Sequence, residues 1–481
     1  MFEKGFQTLL KTPKISAYSL IAVLAIISTY YNQFLPLHGD EAYYWMWSYH
    51  LQTGYYDHPP LIAYMIYITN YISEAEWGVR LVTVFSMSVA AVYLYKLAAE
   101  MFSEKIALIT IMIFTSTLLV QAGYTILTPD APLILFWMMA VYHSWRAFEE
   151  NKLLDYVIAG SALGLMMLGK YTAILFPFIL LIFIMIKRRD ILLNPKFYLA
   201  IVLAVIVVSP MILWNYQNDW ISFNFQMNHG EHKETTIDLN LFLEFFGGQF
   251  GIFTPIFMGF VFYILFKKRE VYHDNKLLFL LLFFLVPFLF FHYKSLFGRM
   301  ELNYTAPAFL SITIIIAYMI DKYSFNKIFK YGVILALVLS FIVRYMMLFH
   351  LEIVQDRMYG NKEAVALVEK YSKKYNTTNF YADHLVIAAL VKYYLPQHPT
   401  TQIPTLTRFS QYDMWKTKAQ KNHIWEDGIY LSTNDKSFYI KKVFNDVTLL
   451  ETLTVPRIRG EKVFHIFLVK DSKVKSLSNH D

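Results

Sequence analysis

Long apolar stretches constrain this chain more than any other feature. Between Ile15 and Leu351 the apolar residues fall in blocks, many of them close to the roughly 20 residues that a helix needs to cross a bilayer. Only 16% of the residues are charged, against roughly a quarter in an ordinary soluble domain. That deficit excludes a soluble enzyme of two or three domains, a disordered chain and a fibrous one. The chain reads as a polytopic α-helical membrane protein.

Run length and breaker residues predict about eleven spans, and no more than about thirteen, near residues 15–37, 79–99, 105–122, 131–148, 155–169, 171–187, 197–214, 250–266, 277–292, 304–320 and 328–349. The segment 61–72 is too short to span and reads as a re-entrant or interfacial helix. The first run follows Lys4, Lys11 and Lys14 as a signal peptide would, but no small-residue cleavage site follows it, so it reads as a retained span. Basic residues set the orientation, because Lys and Arg in short loops resist translocation. Alternate loops hold clusters such as Lys187, Arg188, Arg189 and Lys196, or Lys267, Lys268, Arg269 and Lys276. The opposite loops hold Arg80, Lys170, Lys233, Lys294 and Arg299. This pattern places the N-terminus in the cytoplasm and residues 350–481 outside.

In that last stretch the long apolar runs end and Lys, Asp and Asn appear throughout. Strand-like runs at 379–381, 428–432 and 462–469 predict a small soluble α/β domain, on the far side of the membrane from the basic loops, after a membrane domain of residues 1–349. The net charge of +7 fits loops held at an anionic leaflet and does not call for nucleic acid as a partner. The absence of cysteine excludes disulfides and thiolate chemistry.

The unusual residues collect in the outer loops. The first, 38–78, carries Asp40 and Glu41 ahead of an aromatic run (Tyr43, Tyr44, Trp45, Trp47, Tyr49), which reads as an amphipathic interfacial helix. Further on come Asp57, His58, Pro59 and Pro60. Each acidic site has a plain alternative as a helix cap. Two of them at the mouth of one membrane cavity also suit a general base or a divalent-metal site, since carboxylates accept protons from hydroxyls and bind hard cations. Asp130 begins a span on the same side; Lys170 and Tyr171 sit between two apolar runs, where the lysine either snorkels to headgroups or meets a lipid phosphate. Lys294 and Arg299 in the fifth outer loop also suit a phosphate or a lipid headgroup. His229 and His232 are a histidine pair for which ordinary surface histidine is the commoner explanation; of the two, His229 is kept as a candidate metal ligand.

In order along the chain, Asp40-Glu41 with its aromatics, Tyr55-Tyr56-Asp57-His58-Pro59-Pro60-Leu61, Val79-Arg80-Leu81, Thr128-Pro129-Asp130 and Gly169-Lys170-Tyr171 resemble the GT-C membrane glycosyltransferases. The likeness is greatest to the bacterial branch of lipid A aminoarabinose transferases, lipopolysaccharide-core galacturonosyltransferases and protein O-mannosyltransferases. The resemblance covers roughly residues 15–310. It implies a GT-C fold in a bacterial inner membrane with a periplasmic C-terminal domain. It also implies a polyprenyl-phosphate sugar donor, an envelope glycolipid or glycan acceptor, and transfer with inversion. By the same resemblance Asp40, Glu41 and Asp130 are the catalytic candidates. Asp57 takes the position that helps bind a divalent metal, followed by His58 where that branch commonly has Lys. Arg80, Lys170, Tyr171, Lys294, Arg299 and His58 are the candidates for binding substrate, Arg80, Lys170 and Arg299 being those for the donor phosphate. A flippase of lipid-linked sugars, a non-catalytic envelope scaffold and a protein O-glycosyltransferase are the competing readings.

Overall fold

The computed structural model describes residues 2–228, 237–349, 358–404, 408–421, 424–456 and 460–473. A helix lies over every predicted apolar run. Among the described residues, six helices are long and apolar enough to cross a membrane: Pro13–Asn32, Glu76–Met101, Pro195–Gln217, Asn275–Ser295, Leu302–Tyr323 and Asn326–Leu348. A seventh span is formed if Leu239–Phe253 and Pro255–Lys267 are taken together, although they meet at 108°. The bend sits at Thr254, whose φ of 70° is left-handed and whose hydroxyl caps the second helix by accepting from the Phe257 amide; Pro255 at the first helical position needs no amide partner. The other apolar runs give shorter, broken or more charged helices. The run at 105–122, for instance, is cut at Thr117 into Glu104–Ser116 and Leu118–Gly123 because Thr117 is extended.

Helices Leu153–Gly169 and Pro195–Gln217 approach closely along Gly160 and Gly164, where an added Cβ would lie 2.2 Å from the Ala200 carbonyl oxygen and 2.6 Å from Val207 Cβ respectively. Small residues four apart let two backbones meet where no hydrophobic drive separates helix from lipid. The apolar helices share one large core that includes Trp137, Phe176, Phe279 and Phe283.

The C-terminal part holds a five-stranded sheet of β1 (Phe380–Ala382), β2 (Thr401–Gln402), β3 (Gly428–Thr433), β4 (Phe444–Pro456) and β5 (Glu461–Ser472), in the order β2-β1-β3-β5-β4. β1 runs parallel to β2 and β3, whereas β5 is antiparallel to β3 and β4. The predicted strand runs coincide with β1, β3 and β5. β4, whose side chains are mostly accessible, carries no apolar run to announce it.

The first outer loop departs from its expected place. Its helices Gly39–Ser48 and Leu61–Asn70 share a core with the C-terminal helices Asn361–Tyr375 and Leu385–Tyr394 and with β1, β3 and β5. Trp45 and Trp47 are fully buried and Tyr43 and Tyr44 nearly so. Apart from Tyr49, which is exposed, the aromatic run is therefore packed protein core, not the apolar face of an interfacial helix. The short segment after Pro60 likewise forms a ten-residue helix, Leu61–Asn70.

Candidate active site

Where the outer loops meet the C-terminal domain, a cavity of ≈ 1670 Å³ opens, lined by Asp40, Asp57, Asp130, Lys170, Lys294 and Arg408 among others. Phe114, Leu118, Val120, Phe253, Phe309 and Met347 line the same cavity. Charge and grease thus share one enclosure.

Asp130 opens helix Asp130–Glu150, yet its carboxylate is not spent on capping. Its Oδ1 accepts from Lys170 Nζ at 2.8 Å and its Oδ2 from Asn303 Nδ2 at 2.7 Å and Thr128 Oγ1 at 3.1 Å. The Lys170 ammonium also lies 4.4 Å over the Tyr304 ring. Three outer loops converge on this pair. Tyr171, the next residue along, lines the cavity and its hydroxyl meets Ser222 Oγ at 2.7 Å.

Asp40 stands at the first turn of Gly39–Ser48, with its amide donating to His38 Nδ1 at 3.1 Å and its side chain 39% accessible. Tyr44 follows one turn later. Burial pushes its hydroxyl well above the ordinary phenol range, reinforced by Asp40, Asp57 and Asp130, so it remains a proton donor among three carboxylates. His58 packs edge-on to Tyr44 at 5.8 Å and lines the cavity beside it.

Asp57 is almost sealed. Tyr43 Oη donates to its Oδ2 at 2.7 Å and Arg408 Nη2 to its Oδ1 at 2.7 Å, while Gln226 donates to its carbonyl. Burial raises its pKa above the usual carboxylate range; the Arg408 charge and the Tyr43 hydrogen bond oppose that rise. A guanidinium thus meets the carboxylate where a divalent cation was expected. Among the described residues no three His, Asp or Glu side chains gather as a metal-holding set. Asp57 is engaged by Tyr43 and Arg408, and His229 lies outside the described residues.

Two predicted site residues have a different task. Glu41 and Arg80 are both fully buried and do not line the cavity. Arg80 Nε and Nη2 donate to the two Glu41 carboxylate oxygens at 2.9 and 2.6 Å; the rest of its fork donates to the carbonyls of Asn32, Leu35 and Pro36. Glu41 additionally accepts from the amides of His38 and Leu127. The pair ties the end of the first span to both of the first two outer loops, so Arg80 has no donors left for a phosphate and Glu41 no lone pairs for catalysis. Arg299 is exposed and lies off the cavity lining, whereas Lys294 is on it.

Arg408 and His384 are site residues that sequence reasoning missed; Asn303 it places in the fifth outer loop with Lys294, Arg299 and Glu301, without a role. Arg408 and His384 come from the C-terminal domain, where no motif surrounds them, and Arg408 is 351 residues from its partner Asp57. Burial pushes the His384 imidazole below its usual range, with Arg408 acting the same way and Asp383 opposing. The bond from Asn303 to Asp130 depends on side-chain direction, which the fifth loop's sequence does not report.

The profile of the family described as dolichyl-phosphate-mannose-protein mannosyltransferase matches residues 57–214. The lipid A galacturonosyltransferase RgtD of Rhizobium johnstonii is 30% identical over 226 residues, which cover 45% of this chain and 46% of that protein, so the match spans less than half the length of that curated relative. The crystal structure of ArnT from Cupriavidus metallidurans in the apo state superposes with a TM-score of 0.70 over 93% of this chain and 97% of that one, at 13% identity. The undecaprenyl phosphate-bound structure of the same ArnT gives 0.66 over the same shares, again at 13% identity. At that identity the likeness is one of fold.

Proposed function

We propose that this chain, which shares the fold of ArnT and resembles the matched family profile and RgtD in part of its sequence, is a GT-C glycosyltransferase that transfers a sugar from a polyprenyl-phosphate donor to an envelope glycolipid or glycan outside the cytoplasm. The observation that carries this reading is the joining, in one cavity, of an accessible carboxylate at Asp40, a cation at Lys170 backed by Asp130, and apolar lining residues suited to a lipid chain. The undecaprenyl phosphate of the ArnT structure and the lipid A named for RgtD support the two substrate classes.

In this reading the polyprenyl chain lies against the apolar lining residues and its phosphate lies toward Lys170 and Lys294. The acceptor oxygen attacks the anomeric carbon from the face opposite the phosphate. As the new carbon–oxygen bond forms, the bond from the anomeric carbon to the phosphate oxygen breaks and the phosphate leaves with the electron pair. Lys170 stabilises that growing charge, and Asp130 with Asn303 holds the ammonium in place. The proton of a hydroxyl acceptor passes to Asp40; a phosphate acceptor is already ionised and is only positioned there. One displacement inverts the anomeric centre.

Purified chain in lipid vesicles, supplied with a radiolabelled polyprenyl-phosphate sugar, tests the reading. Label appearing on lipid A or another envelope glycolipid is the expected result. Label on protein would move the acceptor to the class named by the matched family profile. Movement of label across the vesicle without transfer would replace the enzyme by a transporter.

A further inference from the structure

The C-terminal domain contributes His384, Leu385, Val386 and Arg408 to the cavity wall. Arg408 is placed in a manner that charge balance alone does not need. Its Nη2 donates to Asp57 Oδ1, and its guanidinium carbon lies 5.0 Å over the Phe225 ring. Its side chain keeps 43% of its surface accessible while that of Asp57 keeps 6%. Among the described residues this is the guanidinium's only hydrogen bond, so most of its five N–H donors have no protein partner there, on a side chain that lines the cavity. A guanidinium held over an aromatic ring with its fork open suits a planar or tetrahedral oxyanion taken by two parallel hydrogen bonds. The Asp57 carboxylate, which accepts from Arg408 and Tyr43, offers no donor to an oxyanion.

We propose that Arg408 is a substrate-binding residue that holds an oxyanion of the molecule entering the cavity, either the carrier's phosphate or the carboxylate of an acidic sugar, while Asp57 is the positioning residue that aims it. The proposal rests on the transferase reading above. It makes the C-terminal domain part of the binding site. Recognition comes from directed donors, because the Arg408–Asp57 pair has little net charge; Lys294 lines the same cavity.

Direct binding to the full chain in nanodiscs tests this apart from turnover, with undecaprenyl phosphate, free galacturonate and free galactose as probes. Wild type is expected to bind undecaprenyl phosphate, galacturonate or both, and galactose more weakly than galacturonate. Arg408→Gln should weaken at least one anionic probe by about ten-fold or more, and the probe affected tells phosphate from carboxylate. The double variant Asp57→Asn with Arg408→Gln separates recognition from charge balance and leaves no buried carboxylate unpaired. If the double variant binds both anionic probes as wild type does, Arg408 merely neutralises Asp57 and the proposal falls; it falls equally if Arg408→Gln alone changes nothing. Wild-type chain that binds neither anionic probe would overturn the transferase reading itself.

Discussion

Asp40 turns toward the cavity with part of its side chain accessible, whereas Glu41, one residue on, is sealed against Arg80. The two are expected to fail differently. Asp40→Asn keeps the shape and loses the proton acceptor, so transfer to a hydroxyl acceptor should drop by about 10²- to 10⁴-fold with the unfolding midpoint unchanged. Glu41→Gln leaves Arg80 buried without its counter-charge, and breaking such a pair costs about 3–5 kcal/mol. Thermal unfolding of the detergent-solubilised variant should show that loss, and an unchanged midpoint would contradict the structural role. Asp57 titrates in a third manner. Its raised pKa means that the folded chain holds this proton more tightly than the unfolded chain does. The stability it contributes is therefore full below the ordinary aspartate range and is lost as pH rises through the raised value. Asp57→Asn removes that dependence, so the variant should gain on wild type in unfolding midpoint as pH climbs from about 4. A gap that stays constant with pH would contradict the burial account.

At the scale of elements, the contact between helix Gly39–Ser48 and helix Leu385–Tyr394 is set by a glycine. A Cβ on Gly39 would lie 2.6 Å from Val386 Cβ. By propensity alone alanine would favour the helix; by contact it should push the C-terminal helix off. Gly39→Ala is expected to make the C-terminal domain more readily released by limited proteolysis, and Val386→Ala in the same chain to restore resistance. Equal cleavage of Gly39→Ala and wild type would show that the helices have room to spare. The same contact explains what the sequence made legible. Apolar run length announces a helix because lipid and core both demand satisfied backbone, and it located the helices over all of the predicted runs. It does not report what covers the aromatic run after Asp40, since a tryptophan such as Trp45 looks alike whether it faces lipid headgroups or Tyr393 of the C-terminal domain. Likewise Asp130 and Lys170 could be placed on one side from loop charge, but their 2.8 Å pairing, and the choice of Arg80 for Glu41, depend on side-chain direction across segments 40 and 39 residues apart.

For the whole molecule, the lack of any cysteine supplies a clean background for reporters of orientation. Lys152→Cys lies in a basic loop and Lys373→Cys in the C-terminal domain, and both native side chains are well exposed. In intact cells a membrane-impermeant maleimide that enters the periplasm is expected to label the second and spare the first; the reverse pattern would invert the orientation read from loop charge. Beyond orientation, the core shared by the first outer loop and the sheet domain bears on how such chains can be recombined. Residues 358–473 are not a cassette. Their helices close over Trp45 and Ile62, and Arg408 closes over Asp57, so an exchange of C-terminal domains between related proteins has to carry the loop 38–78 with it. Inheritance of acceptor or donor preference should follow that composite unit across chimeras, and a cut placed at the end of the last membrane helix would divide the site that it means to transplant.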